Sequence, residues 1–113
     1  YKGKQVRDAI HSVDLIAAID ACWRAPRPGA VYNLGGGPTS NCSVLEAIEL
    51  SESIVGRPLD WTYVDEARIG DHRWWVSGLG RFRADHPGWE LRYDVPAILG
   101  EIYEANRHRW STG

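Results

Sequence analysis

The feature that most constrains this 113-residue chain is a change of period near its start. An extended run from Gln5 to Ile10 gives way, after His11-Ser12, to apolar residues recurring at helical spacing. In a strand through this stretch Val6, Asp8 and Ile10 share one face, and Gln5, Arg7 and Ala9 share the other. Arg7 is then aimed from a rigid element beside a helix N-terminus. A guanidinium can grip a phosphate or carboxylate through two parallel hydrogen bonds, so Arg7 is a candidate anion-binding residue. Ordinary surface charges at Arg7 and Asp8 are the alternative reading.

Ser12 is placed to cap a helix from Val13, with Leu15, Ile16, Ile19, Cys22 and Trp23 on an apolar face and Pro26 and Pro28 ending it. Residues 30–34 read as a short strand closed by Gly35-Gly36-Gly37-Pro38. Those glycines do not make a dinucleotide loop, because Ser40 stands where a third spaced glycine belongs and no helix opens until about Ser43. They read as a tight turn.

Ser43-Val44-Leu45-Glu46 forms a capping box before a helix to Val55, with Val44, Leu45, Ile48, Ser51 and Val55 inward and Gly56 and Pro58 as its stop. Residues 59–64 alternate in strand fashion, with Trp61 and Tyr63 on one face. Leu79, Phe82 and His86 mark one face of a short helix. Asp94 caps a last helix through Asn106, with Ile98, Leu99, Ile102 and Tyr103 inward and Arg107, His108 and Arg109 at its C-terminal end. The order describes one small α/β unit over residues 1–113.

A formal net charge of -2 and the lack of a basic tract give no footprint for nucleic acid or an anionic membrane. No apolar run approaches the roughly 18 residues needed to span a bilayer, so a cytoplasmic protein is expected. Cys22 and Cys42 fall in separate elements and suggest buried thiols rather than a disulfide framework. His11, His72, His86 and His108 show no metal-ligand spacing, and no metal is assigned. A chain that starts at Tyr1 and contains no methionine is expected to be a fragment.

The second informative stretch, residues 65–77, sets Arg68 and Arg73 beside Trp74 and Trp75 around the turn glycine Gly70. A solvated loop is one reading of it. Four segments in order carry a resemblance: Arg7-Asp8 with His11 and Asp14, Tyr32-Asn33-Leu34-Gly35, Arg68-Ile69-Gly70-Asp71, and Gly88-Trp89. Together they resemble the extended short-chain dehydrogenase/reductase superfamily of NAD-dependent sugar-nucleotide epimerases and dehydratases. The form Lys4-Gln5-Val6-Arg7-Asp8 with Ile10-His11-Ser12 is most similar to the CDP-paratose (CDP-tyvelose) 2-epimerase branch. Gly78 departs from an acidic residue common there, which puts the start of the following helix in doubt.

The resemblance implies the C-terminal substrate-binding unit of such an enzyme: short strands packed with about four helices, the Rossmann domain absent. It implies that Arg7 and Arg68 hold the diphosphate of a nucleotide-sugar. Asp71 would bond nearby, commonly to ribose, Trp75 would lie near the substrate, and His11 would be a packed histidine joining strand to helix. NAD would be bound by the missing N-terminal domain. Neither a glycine-rich NAD loop nor a Tyr-x-x-x-Lys pair is present, since the lysines are Lys2 and Lys4, so no catalytic residue is assigned and the isolated fragment is expected to be inactive. Expected partners are the nucleotide-sugar, the Rossmann half and a possible second copy. A UDP- or dTDP-sugar 4-epimerase or dehydratase is the nearer alternative. A non-catalytic scaffold with exposed tryptophans is the more distant one.

Overall fold

The computed structural model describes residues 1–110. Three very short strands and four helices follow one another along the chain: β1 (Val6–Asp8), α1 (Ser12–Arg24), β2 (Asn41–Ser43), α2 (Val44–Val55), β3 (Trp74–Trp75), α3 (Gly80–Asp85) and α4 (Val95–Trp110). The sheet order is β2-β1-β3, with β1 antiparallel to β2 and parallel to β3. The expected α/β unit, short strands with about four helices, is what forms.

β1 lies at the centre because both of its edges are used. Arg7 stands opposite Cys42 on one side and Trp75 on the other, so these three side chains share a face. Asp8 faces the other way and ties two distant loops to the strand, its Oδ2 accepting from the backbone N–H of Gly37 and of Ser77, each at 2.9 Å. Burial alone pushes the Asp8 carboxyl up, but the Ser77 and Gly37 N–H groups together outweigh it and hold its pKa below the ordinary value.

The glycine turn is packed too closely for side chains. A Cβ on Gly36 would strike the carbonyl oxygens of Ala9 and Ser40, and one on Gly35 would strike the Asp8 carboxylate and the Ser77 hydroxyl. Gly37, at φ 61°, opens a 3-10 turn over Gly37–Thr39.

The core is small: Ala18 on α1, Phe82 on α3, and Leu79 and Trp89 flanking α3, with Ile10, Tyr32, Leu34 and Leu91 packed around them. Leu79, Phe82 and His86 are all buried, as the spacing of that short helix requires. Its first residue is Gly80, and its N-cap, Leu79, offers no side-chain hydrogen bond. The Gly78 departure thus coincides with a late, uncapped start.

Asp14 is the polar anchor of this core. It is 1% exposed, and its carboxylate accepts from the backbone N–H of Arg92 and of Tyr93 at 3.1 Å, while its carbonyl accepts from Trp89 Nε1 at 3.0 Å. Helix α1 is thereby pinned to the segment that leads into α4.

Several expectations are corrected. The N-cap of α1 is His11, not Ser12: its Nδ1 accepts from Val13 N at 2.9 Å, and its ring stacks on Tyr93 with centroids 4.0 Å apart. His11 therefore joins strand to helix, and through Glu101 at 2.9 Å it also reaches α4. Residues 30–34 alternate half-buried and exposed as a strand would, but pair with no neighbouring strand. Tyr32 is held by its side chain instead, its hydroxyl donating to Asp85 at 2.6 Å. Residues 59–64 form no strand and are exposed throughout, so Trp61 and Tyr63 do not pack inward. The second and third strands come from polar and aromatic segments, Asn41–Ser43 and Trp74–Trp75, that the edges of β1 recruit. The last helix runs to Trp110, past Asn106.

The apolar faces are also less covered than their spacing implies. On α1, Ala18 is buried and Cys22 half-buried, while Ile16 (64%), Ile19 (60%) and Trp23 (84%) are exposed. Leu15, on the same apolar face of α1, is exposed as well, and so are Val44 and Ile102, which the helical spacing turns inward. The molecule is thin, 48 × 35 × 19 Å, with a Cα radius of gyration of 16.9 Å. A self-contained domain of this length measures roughly 13 Å. Both cysteines are free and half-buried, and Cys22 Sγ lies 3.8 Å from His86 Nε2.

Candidate functional site

The two arginines picked out by the sequence meet at one oxygen. Arg7 Nη2 donates to Asp71 Oδ1 at 2.7 Å, and Arg68 Nη2 lies 3.8 Å from the same atom. Sixty-one residues separate them along the chain, yet both guanidinium groups reach the same carboxylate oxygen. Arg7 is steadied from below by its Nη1 bond to the Val6 carbonyl at 2.9 Å, whereas Arg68 is 87% exposed and rises from the loop before β3.

The site is assembled by the sheet and the turn beside it. Val6 N donates to the Arg73 carbonyl at 2.9 Å, which docks the 68–73 loop against β1. Asp71 N donates to the Arg68 carbonyl at 3.1 Å and closes the loop through Gly70 at φ 79°. The Arg68-Ile69-Gly70-Asp71 run is thus a turn that carries its arginine and its aspartate to the rim of β1.

A cleft of about 340 Å³ opens here, lined by Tyr1, Gln5, Tyr63, Glu66, Arg68 and Asp71 among others. Trp75 stands next to Arg7 in strand register but lines a separate recess of about 350 Å³ with Tyr32, Asn33 and Trp74. His72 sets its ring edge-on to Trp75 at 5.0 Å. The structure therefore brings Arg7 and Arg68 to Asp71 and places Trp75 opposite Arg7 on the neighbouring strand. Sequence reasoning overlooked Gln5 and Tyr63 as cleft residues; the shared parity of Gln5 and Arg7 was the available signal for the first.

The glycine turn at Gly35–Gly37 does not fit a dinucleotide. The Gly37 N–H is already donated to Asp8, and the space above Gly35 and Gly36 is filled by Asp8, Ser77, Ala9 and Ser40. That turn is a packing device and leaves no cradle for a pyrophosphate. Among the described residues no three metal-ligating side chains come together, and no helix is long and apolar enough to cross a membrane.

Comparison with solved structures places this geometry in a family context. The chain is similar to dTDP-glucose 4,6-dehydratase from Bacillus anthracis, solved with NAD, with 28% identity and a TM-score of 0.78 over 99% of this chain. It is similar to UDP-glucose 4-epimerase from Bifidobacterium longum, solved with NAD+ and UDP, with 26% identity and a TM-score of 0.78 over 93% of this chain. UDP-glucose 4-epimerase from Thermotoga maritima, solved with UDP-glucose, shares the fold with a TM-score of 0.82 at 22% identity over 97% of this chain. Its structural neighbours are NAD-dependent sugar-nucleotide epimerases and dehydratases. The chain spans about a third of their length, 35%, 31% and 34% respectively. No family model matches the chain.

Proposed function

We propose that this chain is the nucleotide-sugar-binding portion of an NAD-dependent sugar-nucleotide epimerase or dehydratase, with a CDP-paratose 2-epimerase as the specific reading. The observation that carries it is the convergence of Arg7 and Arg68 on one oxygen of Asp71. Two guanidinium groups that already share a carboxylate are placed to share a pyrophosphate, whose paired anionic oxygens match the same donors.

In this reading the arginines neutralise and orient the diphosphate, Asp71 turns to a ribose hydroxyl, and Trp75 borders the sugar. Holding the nucleotide fixes where the hexose stands, and positioning is the whole catalytic contribution of these residues. NAD supplies redox chemistry from the remainder of the protein, and none of the residues described here handles it. The choice of cytosine over uracil or thymine follows from the Lys4-Gln5-Val6-Arg7-Asp8 resemblance, and the alternative is a UDP- or dTDP-sugar 4-epimerase or dehydratase.

The exposed α1 surface supports the same reading. Ile16, Ile19 and Trp23 form an apolar stripe on a chain too thin to cover it, and the neighbours contain about twice as much additional polypeptide. The occupant of that stripe is the Rossmann half of the same protein.

Calorimetric titration of the full-length protein with CDP-sugar, UDP-sugar and dTDP-sugar tests the proposal. Binding lost in both Arg7→Ala and Arg68→Ala is expected. Unchanged affinity in both variants removes the site, and preference for UDP or dTDP over CDP selects the alternative.

A further inference from the structure

We infer that the cleft between α2 and α4 is a second ligand site, one that takes an alkyl carboxylate with its chain along an apolar wall and its carboxylate on Arg57. Helical spacing turns an apolar stripe of each helix toward the other, but the two stripes do not close on one another. They leave a cleft of about 640 Å³, within the roughly 300–1,000 Å³ of small-molecule sites. Ile54, Leu59, Leu99, Ile102 and Trp110 supply its wall. Ile102 and Trp110 are 48% and 54% exposed, so that wall is open to a ligand. The cleft shares no lining residue with the one beside Arg68 and Asp71, and the inference does not depend on the function proposed above.

Charge identifies the ligand's head. The chain has a net charge of -2, yet no carboxylate lines this cleft, and its charged side chains are Arg57 and Arg107. Arg107 is engaged, its Nε 3.3 Å from Glu104 Oε2. Arg57 is exposed and makes no hydrogen bond or ion pair among the described residues. The end of α2 sets its place: Gly56, at φ 80°, closes the helix, and Leu59 N donates to Glu52 Oε1 at 2.9 Å, folding the segment back against α2. A free guanidinium beside an apolar wall is complementary to an anion carried on an apolar body. The rest of the lining excludes polar bodies. No Asn or Gln lines the cleft, and the Ser51 hydroxyl is already donated to the Ala47 carbonyl at 2.7 Å. A base or a polyol would leave most of its polar groups unpaired there, whereas a hydrocarbon chain with one carboxylate leaves none.

The test is calorimetric titration of the full-length protein with decanoate below its micelle concentration, with hexanoate and decanol beside it, and co-sedimentation with phosphatidylglycerol vesicles. Decanoate should bind saturably, tighter than hexanoate by up to about fourfold per methylene and tighter than decanol by about tenfold. Arg57→Gln should weaken decanoate by about tenfold and leave decanol unchanged. Ile102→Asn, on the wall, should weaken both. Arg57 has no partner to lose, so its variant should melt with the parent and keep the test sound even where Ile102→Asn does not fold. Absence of saturable decanoate binding overturns the inference, as does decanoate affinity untouched by Arg57→Gln. Decanol bound as tightly as decanoate would make the cleft an apolar groove without a head-group site. Vesicle binding that decanoate does not compete would assign the face to a membrane surface. Either result overturns the inference as well.

Discussion

Arg7 on the central strand and Asp71 on the loop before β3 are joined at 2.7 Å across 64 residues of sequence. The pair is only partly buried, its side chains 39% and 18% exposed, so it adds little to stability, of the order of 0–1 kcal/mol. Its consequence lies in where it holds the guanidinium. Arg7→Ala and Arg68→Ala are each expected to weaken nucleotide-sugar binding by about 1.5–3 kcal/mol, the scale of a lost charge-assisted hydrogen bond. Arg7 should be the more costly because it is pre-oriented. Thermal melting of the ligand-free Arg7→Ala variant should stay close to that of the parent, which separates a binding role from a folding one.

Asp14 should behave in the opposite way. Replacing it with alanine leaves the part-buried N–H groups of Arg92 and Tyr93 without their acceptor, and a loss of about 1–3 kcal/mol in unfolding free energy is expected. Asp14→Asn keeps one acceptor oxygen and should lose less. Urea denaturation followed by tryptophan fluorescence reads both, since Trp89 bonds the Asp14 carbonyl directly.

Acid sensitivity should trace to Asp8. Its pKa is lower in the folded protein than the roughly 3.9 of an unfolded aspartate, because the N–H groups of Ser77 and Gly37 outweigh the effect of burial. A depressed carboxylate contributes stability that is fully present above the unfolded value and is lost as pH falls through the folded one. Urea midpoints should therefore drop more steeply below about pH 4 in the parent than in Asp8→Asn. Parallel curves would place the acid sensitivity elsewhere.

Gly36→Ala should be among the most damaging small substitutions. The added methyl meets backbone carbonyls of Ala9 and Ser40, which cannot swing aside as a side chain could. Overpacking of this kind costs about 1–3 kcal/mol or more. Gly88→Ala, where nothing lies within contact range of the new methyl, is the matched control and should be near neutral. A comparison of melting temperatures decides it.

The polar residues of the first segment show how far local reading extends. Arg7, Asp8, His11 and Asp14 stand out as a spaced set, and the sequence order of helix and extended segments is visible from capping and periodicity alone. The capping box at Ser43 and Glu46 forms as spelled, with both reciprocal bonds present. What each polar group touches was not visible. Asp14 reads as a helix-start carboxylate and turns out to be a buried clamp on residues 92 and 93. Gln5 reads only as a residue sharing a strand face with Arg7, and its buried Oε1 has no hydrogen-bond partner.

Strand pairing was the least legible feature, because a strand is defined by its partner and not by its own composition. Residues 30–34 have the better β composition and no ladder, while Asn41–Ser43 and Trp74–Trp75 pair because β1 offers them its edges. The apolar stripe of α1 was legible as a stripe, but not as a surface left open, since amphipathic spacing says that a face seeks burial and not what lies opposite it.

By itself the sequence determined the helical segments, the capping box at Ser43 and Glu46 and the two candidate arginines, which are read from neighbours within a few residues. Only the tertiary structure decided which segments became strands, that Arg7 and Arg68 share Asp71, and that Gln5 lines a cleft with Arg68 and Asp71. Those outcomes depend on contacts between residues some sixty positions apart, and no local pattern encodes which distant groups the folded backbone will bring within hydrogen-bonding range.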